Sequence, residues 1–111
     1  WFGITVPEDR LGCLQDVHWS MGAFGYFPTY TLGNLYAAQL LKSMGEELGD
    51  INTIIQSGDW SSILEWLQDR IHLKGSTLSP SELITKATGS EPSPEPFLQY
   101  VEEKYGKLYS L

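Results

Sequence analysis

Residues 12–30, GCLQDVHWSMGAFGYFPTY, bring Gln15, Asp16, His18, Trp19, Tyr26 and Tyr30 into nineteen positions. An imidazole and two phenols can hydrogen-bond a substrate carbonyl and the oxyanion formed from it. Cys13 with His18 offers a nucleophile and a base, and Asp16 with His18 offers two metal ligands. Each chemical reading has a simpler counterpart. Five residues apart on a helix, Cys13 and His18 lie well round its circumference, so a small buried thiol is the simpler reading. Asp16 and His18, two apart, face different sides of a helix. Two ligands also fall short of the three that a catalytic zinc takes from protein. The other histidine, His72, sits at a helix end where the dipole accounts for it, so no metal site is expected within this chain. From spacing alone, His18, Tyr26 and Tyr30 read as buried aromatics with satisfied polar tips. Trp19, Phe24, Phe27, Trp60 and Trp66 read as packing residues.

The elements that must position these groups are helical. Residues 1–9 read as an extended lead-in ending near Pro7, and residues 10–22 as a short helix closed by Gly22 and Gly25. Pro28 suits the first position of a new helix, where its missing N–H costs nothing. From there Ala37, Leu41, Met44 and Leu48 form an apolar stripe, widened by Leu32, Leu35 and Tyr36. Gln39, Lys42, Ser43, Glu46 and Glu47 read as the wet side, so the helix is expected to be buried at its start and exposed toward Gly49. Asp50 caps INTIIQS, which Gly58 ends, and Asp59 caps a helix with Trp60, Ile63, Leu64, Leu67 and Ile71 on one face. The clearest local signal is Leu78-Ser79-Pro80-Ser81-Glu82-Leu83: a capping Ser, Pro at the first position, Glu at the third and a Leu78–Leu83 staple. Gly89 stops that helix, SEPSPEP turns, and a last helix from about Pro94 aligns Phe97, Val101, Tyr105 and Leu108. No strand pattern or internal repeat competes. The fold class is all-α, in one segment without an internal domain boundary.

Composition narrows the function classes. The 111 residues suffice for one modest core, and 13% are aromatic. The net charge of −7 gives no electrostatic footprint for nucleic acid or an anionic membrane. The single cysteine leaves no intramolecular disulfide and favours a reducing setting. No apolar run has the length of a transmembrane helix, and no signal-peptide pattern is present. The opening WFGITVPEDR, with two aromatics and no Met, predicts a segment cut from a longer protein. Such a segment is expected to expose apolar surface, hence self-association or partial disorder around residues 1–30.

The stretch Gly12-Cys13-Leu14-Gln15-Asp16-Val17-His18-Trp19 resembles the G-x-x-Q-D-x-H-W motif of the thermostable carboxypeptidase (carboxypeptidase Taq) family. The continuation SMGAFGYFPTYTLGNLYAAQL is similar to the family's sequence after that motif. So are Ile71, His72 and Gly75, the stop Ala87-Thr88-Gly89, and the closing Pro96-Phe97, Lys104-Tyr105 and Leu108-Tyr109. The resemblance spans essentially the whole chain. It implies part of an all-helical peptidase with a deep groove, related in fold to angiotensin-converting enzyme and thimet oligopeptidase. It implies release of residues from peptide C-termini with zinc or cobalt, in cytoplasmic homodimers. The family's H-E-x-x-H helix, its downstream Glu and its arginine-bearing motif do not occur here, so the metal ligands are expected outside this chain, which alone is expected to be inactive. Carried onto this sequence, the resemblance makes Tyr30 the donor to the developing oxyanion and His18 the partner of a substrate backbone carbonyl. Tyr26 then helps hold the terminal carboxylate or the same carbonyl, with Gln15 and Asp16 standing behind His18. The expected partners are peptides, the rest of the polypeptide and a second subunit. The alternatives are a helical interaction domain without chemistry and part of a related oligopeptidase.

Overall fold

A computed structural model of the chain describes residues 3–110. Trp1 and Phe2, the head of the expected lead-in, and Leu111 lie outside the described residues. Every regular element among those described is helical, and the fold is all-α. The chain forms two compact units, Trp1–Tyr30 and Thr31–Leu111.

In the first unit the expected helix over 10–22 is broken into three pieces. Two single 3₁₀ turns, Asp9–Leu11 and Cys13–Gln15, precede helix α1, Val17–Ser20. The break has two causes. Gly12 adopts φ −132°, ψ −111°, far from helical values. Asp16 is extended, at φ −84° and ψ 106°, and works as a cap, so the helix restarts after it. Gln15 steadies this corner by donating its side-chain amide to the Arg10 carbonyl.

The long helix α2 runs over Pro28–Leu48, with Pro28 as its first residue. Helices α3 (Ile51–Ser57), α4 (Ser61–Arg70), α5 (Pro80–Thr88) and α6 (Glu95–Tyr109) follow, with a 3₁₀ turn at His72–Lys74. Their boundaries follow local chemistry. The Asp50 carboxylate accepts the Asn52 N–H at 3.0 Å, and Gly58 ends α3 in the left-handed region at φ 76°. Helix α4 starts one residue later than the sequence predicts, with Trp60 at the cap position; the Asp59 carboxylate still accepts from the Ser61 N–H at 3.0 Å. At α5 the full capping box forms, with Ser79 N–H on Glu82 at 2.9 Å and Ser79 Oγ accepting from Glu82 N–H at 3.4 Å. The Ser79 hydroxyl also donates to Glu82 at 2.6 Å, and this bond holds the Glu82 carboxyl below its ordinary range. Ser79→Ala should cost about 1 kcal/mol in denaturant unfolding. A carboxyl with a lowered folded pKa stabilises above its unfolded value and loses that contribution as pH falls through the folded one. The difference between wild type and variant should therefore shrink on acidification through the Glu82 titration.

The core of the second unit is small. Met44, Trp66, Ile84 and Ala87 are its buried apolar residues, joined by the polar Gln39 and Ser43. The last two correct the expected wet side of α2. Gln39 is 3% exposed, because the turn after α5 lies against the middle of the helix. Its Oε1 accepts the Ser93 N–H at 3.0 Å. Its amide nitrogen faces Thr88 Oγ1 at 3.1 Å, the Ser90 hydroxyl at 3.0 Å, and the Ser90 and Glu91 carbonyls at 3.3 and 3.0 Å. Two hydrogens shared among four oxygens leave no donor idle.

The start of α2 also departs from the expectation, while Glu46 and Glu47 near its end are exposed as expected. Its first two turns, through Asn34, are exposed, and the covered residues sit at mid-helix where the α5–α6 turn meets it. Leu41, placed on the apolar stripe by period, is exposed, as are Trp60 and Leu64 on α4 and Tyr105 and Leu108 on α6. Trp66 packs inside as predicted. Arg70 lies over its ring at 5.7 Å and joins three helices, donating to the Ala87 carbonyl at 3.3 Å and to Glu47 at 2.9 Å.

Candidate active site

The site builds from Asp16 outward. One oxygen of its carboxylate accepts the His18 backbone N–H at 2.9 Å, which caps α1. The same oxygen meets His18 Nδ1, also at 2.9 Å. The sequence argument that these residues diverge assumed that both lie within one helix. Asp16 precedes the helix instead, and its side chain folds back over the first turn.

Helix α1 then closes after a single turn. Gly22, at φ 73°, donates its N–H to the Trp19 carbonyl at 3.1 Å, while the Ala23 N–H reaches the His18 carbonyl at 2.8 Å. This is the paired pattern of a Schellman cap, which requires a left-handed residue and so favours glycine there. The chain turns back through Gly25 and enters α2. Thr29 and Tyr30 donate their N–H groups to the Tyr26 and Phe27 carbonyls, each at 3.0 Å. Tyr26 and Tyr30 thus bracket the first turn of α2.

The return brings four rings together. Tyr30 Oη lies 3.0 Å from His18 Nε2. Tyr26 stacks on the imidazole, with centroids 5.3 Å apart and planes 20° apart, and meets Tyr30 edge-on at 5.3 Å. Phe27 stands edge-on to His18 at 4.9 Å. Asp16, His18 and Tyr30 therefore form one continuous line of hydrogen bonds, held laterally by Tyr26 and Phe27. Edge-to-face and offset pairs of this kind are worth about 0.5–1.5 kcal/mol beyond burial.

Several sequence readings change here. His18, Tyr26 and Tyr30 are brought together, but not as buried core: Tyr26 is 47% and Tyr30 52% exposed, and the imidazole is half-buried. Trp19, Phe24 and Phe27 are also exposed rather than core, with Trp19 edge-on to Phe24 at 5.5 Å. Their chain neighbourhood is all turns and caps, which offer no opposing apolar layer. Cys13 is exposed, not a buried thiol. It has no base, because both His18 ring nitrogens are engaged by Asp16 and Tyr30. Gln15 reaches Arg10 and not His18, so its placement supports the turn before the site. Phe27 was missed as a site residue, and its position between Tyr26 and Pro28 was the available signal.

Among the described residues no three of His, Cys, Asp and Glu approach one another closely enough to hold a metal ion. Both imidazole nitrogens are engaged, Nδ1 by the Asp16 carboxylate and Nε2 by the Tyr30 phenol, a hydrogen-bonded line and not a set of converging metal ligands. What this line fits is a polar substrate atom, which a half-exposed phenol polarised by an imidazole can hydrogen-bond.

The chain is similar to known proteins over nearly all of its length. The family model of the carboxypeptidase Taq (M32) metallopeptidases matches residues 1–105. Thermostable carboxypeptidase 1 of Thermus thermophilus is 47% identical over 107 residues, covering 96% of this chain and 21% of that protein. Carboxypeptidase 1 of Bacillus subtilis is 41% identical over 111 residues, covering 100% of this chain and 22% of that protein. The crystal structure of the M32 carboxypeptidase from Deinococcus radiodurans R1 superposes with a TM-score of 0.89 at 35% identity, over 98% of this chain and 22% of that one. The chain thus spans about a fifth of the length of the curated relatives it matches. The helical fold and these matches lead to one assignment: the chain belongs to the carboxypeptidase Taq (M32) family of metallopeptidases.

Proposed function

We propose that this chain is the C-terminal segment of a zinc- or cobalt-dependent carboxypeptidase, and that its first unit supplies polar contacts to the peptide being shortened. The observation that carries the reading is the 3.0 Å bond between His18 Nε2 and Tyr30 Oη, with Asp16 on the other ring nitrogen. When a peptide carbonyl is attacked, negative charge develops on its oxygen. A phenol at that oxygen stabilises the charge more in the transition state than in the substrate, which is what raises kcat. Tyr30 takes that role. As substrate enters, Tyr30 gives up its bond to His18 Nε2, which then meets the substrate backbone beside it, and Tyr26 holds the terminal carboxylate or the same carbonyl. Asp16 aims the imidazole. The metal of the intact enzyme supplies Lewis-acid chemistry from ligands outside this chain, so the 111 residues alone release nothing.

The exposed apolar residues, from Leu14 and Met21 through Leu73 and Leu108, support a role inside a larger body. The rest of the polypeptide, in a homodimer in the cytoplasm, covers them. The test is product analysis. The full-length protein incubated with a peptide should give a ladder of products shortened one residue at a time from the C-terminus, read by mass spectrometry. Internal cuts would assign an oligopeptidase instead. An intact peptide would leave a helical interaction module.

A further inference from the structure

We propose that Phe27 is a specificity-determining residue: its ring is the apolar wall against which the side chain of the released C-terminal residue packs, so that peptides ending in an aromatic or large aliphatic residue are favoured. This role rests on the reading that Tyr30 meets the carbonyl under attack and Tyr26 the terminal carboxylate.

Those two contacts fix where the released residue lies. One residue separates the attacked carbonyl from the terminal carboxylate, and a single residue spans at most about 3.3–3.6 Å. The Tyr26 and Tyr30 rings have centroids 5.3 Å apart. A residue bridging their hydroxyls therefore lies across the ring cluster, and its side chain starts one bond from that bridge. Phe27 stands within reach. Its centroid is 4.9 Å from that of His18 and 6.3 Å from that of Tyr30. Its backbone is held in place, because its carbonyl accepts the Tyr30 N–H at 3.0 Å. Of the four rings it alone carries no polar atom, so it offers the peptide apolar contact and no hydrogen bond. It is 51% exposed, which leaves ring surface free for a ligand. Apolar carbons of a substrate laid on that surface gain by leaving water, and an aromatic side chain adds edge-on or offset pairing. A carboxylate side chain at the same place would lose water without a partner. A Gly at the C-terminus would leave the ring bare.

The test gives the full-length enzyme four peptides of one sequence, ending in Phe, Leu, Gly or Glu, and reads kcat/KM for release of the last residue. Small apolar contacts discriminate by about 10-fold at the low end, and wild type should favour Phe and Leu over Gly and Glu by about that factor. Phe27→Ala should remove most of the Phe-to-Gly ratio. If Phe27 only props His18, all four peptides slow by one factor and the ratio stands, which overturns the proposal. A wild type without the preference also overturns it, as does a variant whose altered preference appears only when the penultimate residue is varied, because the ring would then face the other side of the bond. Should Phe27→Ala fail to fold, Phe27→Lys replaces it, since the lysine stem covers apolar surface and its ammonium can meet an acidic side chain. The Glu-to-Phe ratio should then rise by about 10-fold or more, and an unchanged ratio overturns the proposal. Failure of the underlying reading looks different: wild type would release no C-terminal residue from any of the four peptides.

Discussion

Tyr30→Phe in the full-length enzyme should lower kcat about 10²–10³-fold, the effect of losing one donor at a developing oxyanion. The substitution removes a single oxygen. The ring stays, with its edge contacts to His18 at 5.8 Å and Tyr26 at 5.3 Å, so the cluster keeps its shape. Tyr30 is 52% exposed, and its hydroxyl bonds only an imidazole, so folding stability should change by well under 1 kcal/mol. Bound metal should also be unchanged, since no ligand set lies among the described residues. The signature is therefore a fall in kcat with intact unfolding temperature and metal content. His18→Ala should lower kcat to a similar degree but also cost stability, because the Asp16 carboxylate and three aromatic rings lose their common neighbour. Near-normal kcat in Tyr30→Phe would remove Tyr30 from the chemistry.

The second large effect concerns stability. Gln39→Leu is close in volume, and Leu is about as good a helix former as Gln, so a reading of Gln39 as solvated predicts no loss. The structure predicts about 2–3 kcal/mol. The Leu side chain would strand the Ser93 N–H and face the Glu91 carbonyl and the Ser90 oxygens with carbon. Each buried polar group left without a partner costs about 1–3 kcal/mol, and water recovers part of that at this half-open turn. Gln39→Glu sharpens the test. A carboxylate still accepts from Ser93 but sets negative charge against two carbonyl oxygens, so it should destabilise at neutral pH and recover partly on acidification, when it regains one O–H. Denaturant midpoints for both variants at two pH values are sufficient. An unchanged midpoint for Gln39→Leu would mean that the α5–α6 turn is not fastened to α2.

These two residues show what could be read from sequence and what could not. The all-α class was legible, because each helix carries its own start and stop: Pro28, Asp50 with Gly58, and Ser79-Pro80 with Glu82 and Gly89 are local signals within a few positions. Gln39 was not legible. Its partners lie about fifty residues downstream, and a helical period cannot tell a polar residue facing water from one facing a turn that arrives later. In the site, the residue types were legible and their arrangement was not. Asp16 and His18 were placed on one helix and therefore apart; a cap, with its side chain folded back, puts them in contact. The aromatics of residues 19–30 were read as core because aromatics usually are, but a segment made of caps and turns has no layer to bury them against.

The way Tyr30 enters α2 bears on which changes of length this segment can accept. Surface connections ordinarily absorb inserted or deleted residues at little cost. Here the Tyr26 and Phe27 carbonyls receive the Thr29 and Tyr30 N–H groups, and the Thr29 hydroxyl adds a 2.6 Å bond to the Tyr26 carbonyl. Position along the chain has thus become angle around the helix axis. One residue added between Pro28 and Tyr30 would swing the phenol by about 100°, away from His18. The stretch from Gly25 to Tyr30 looks like a loop by composition, yet it behaves as a ruler. Amino-acid replacements can tune it, while any insertion or deletion there disconnects the phenol from the imidazole.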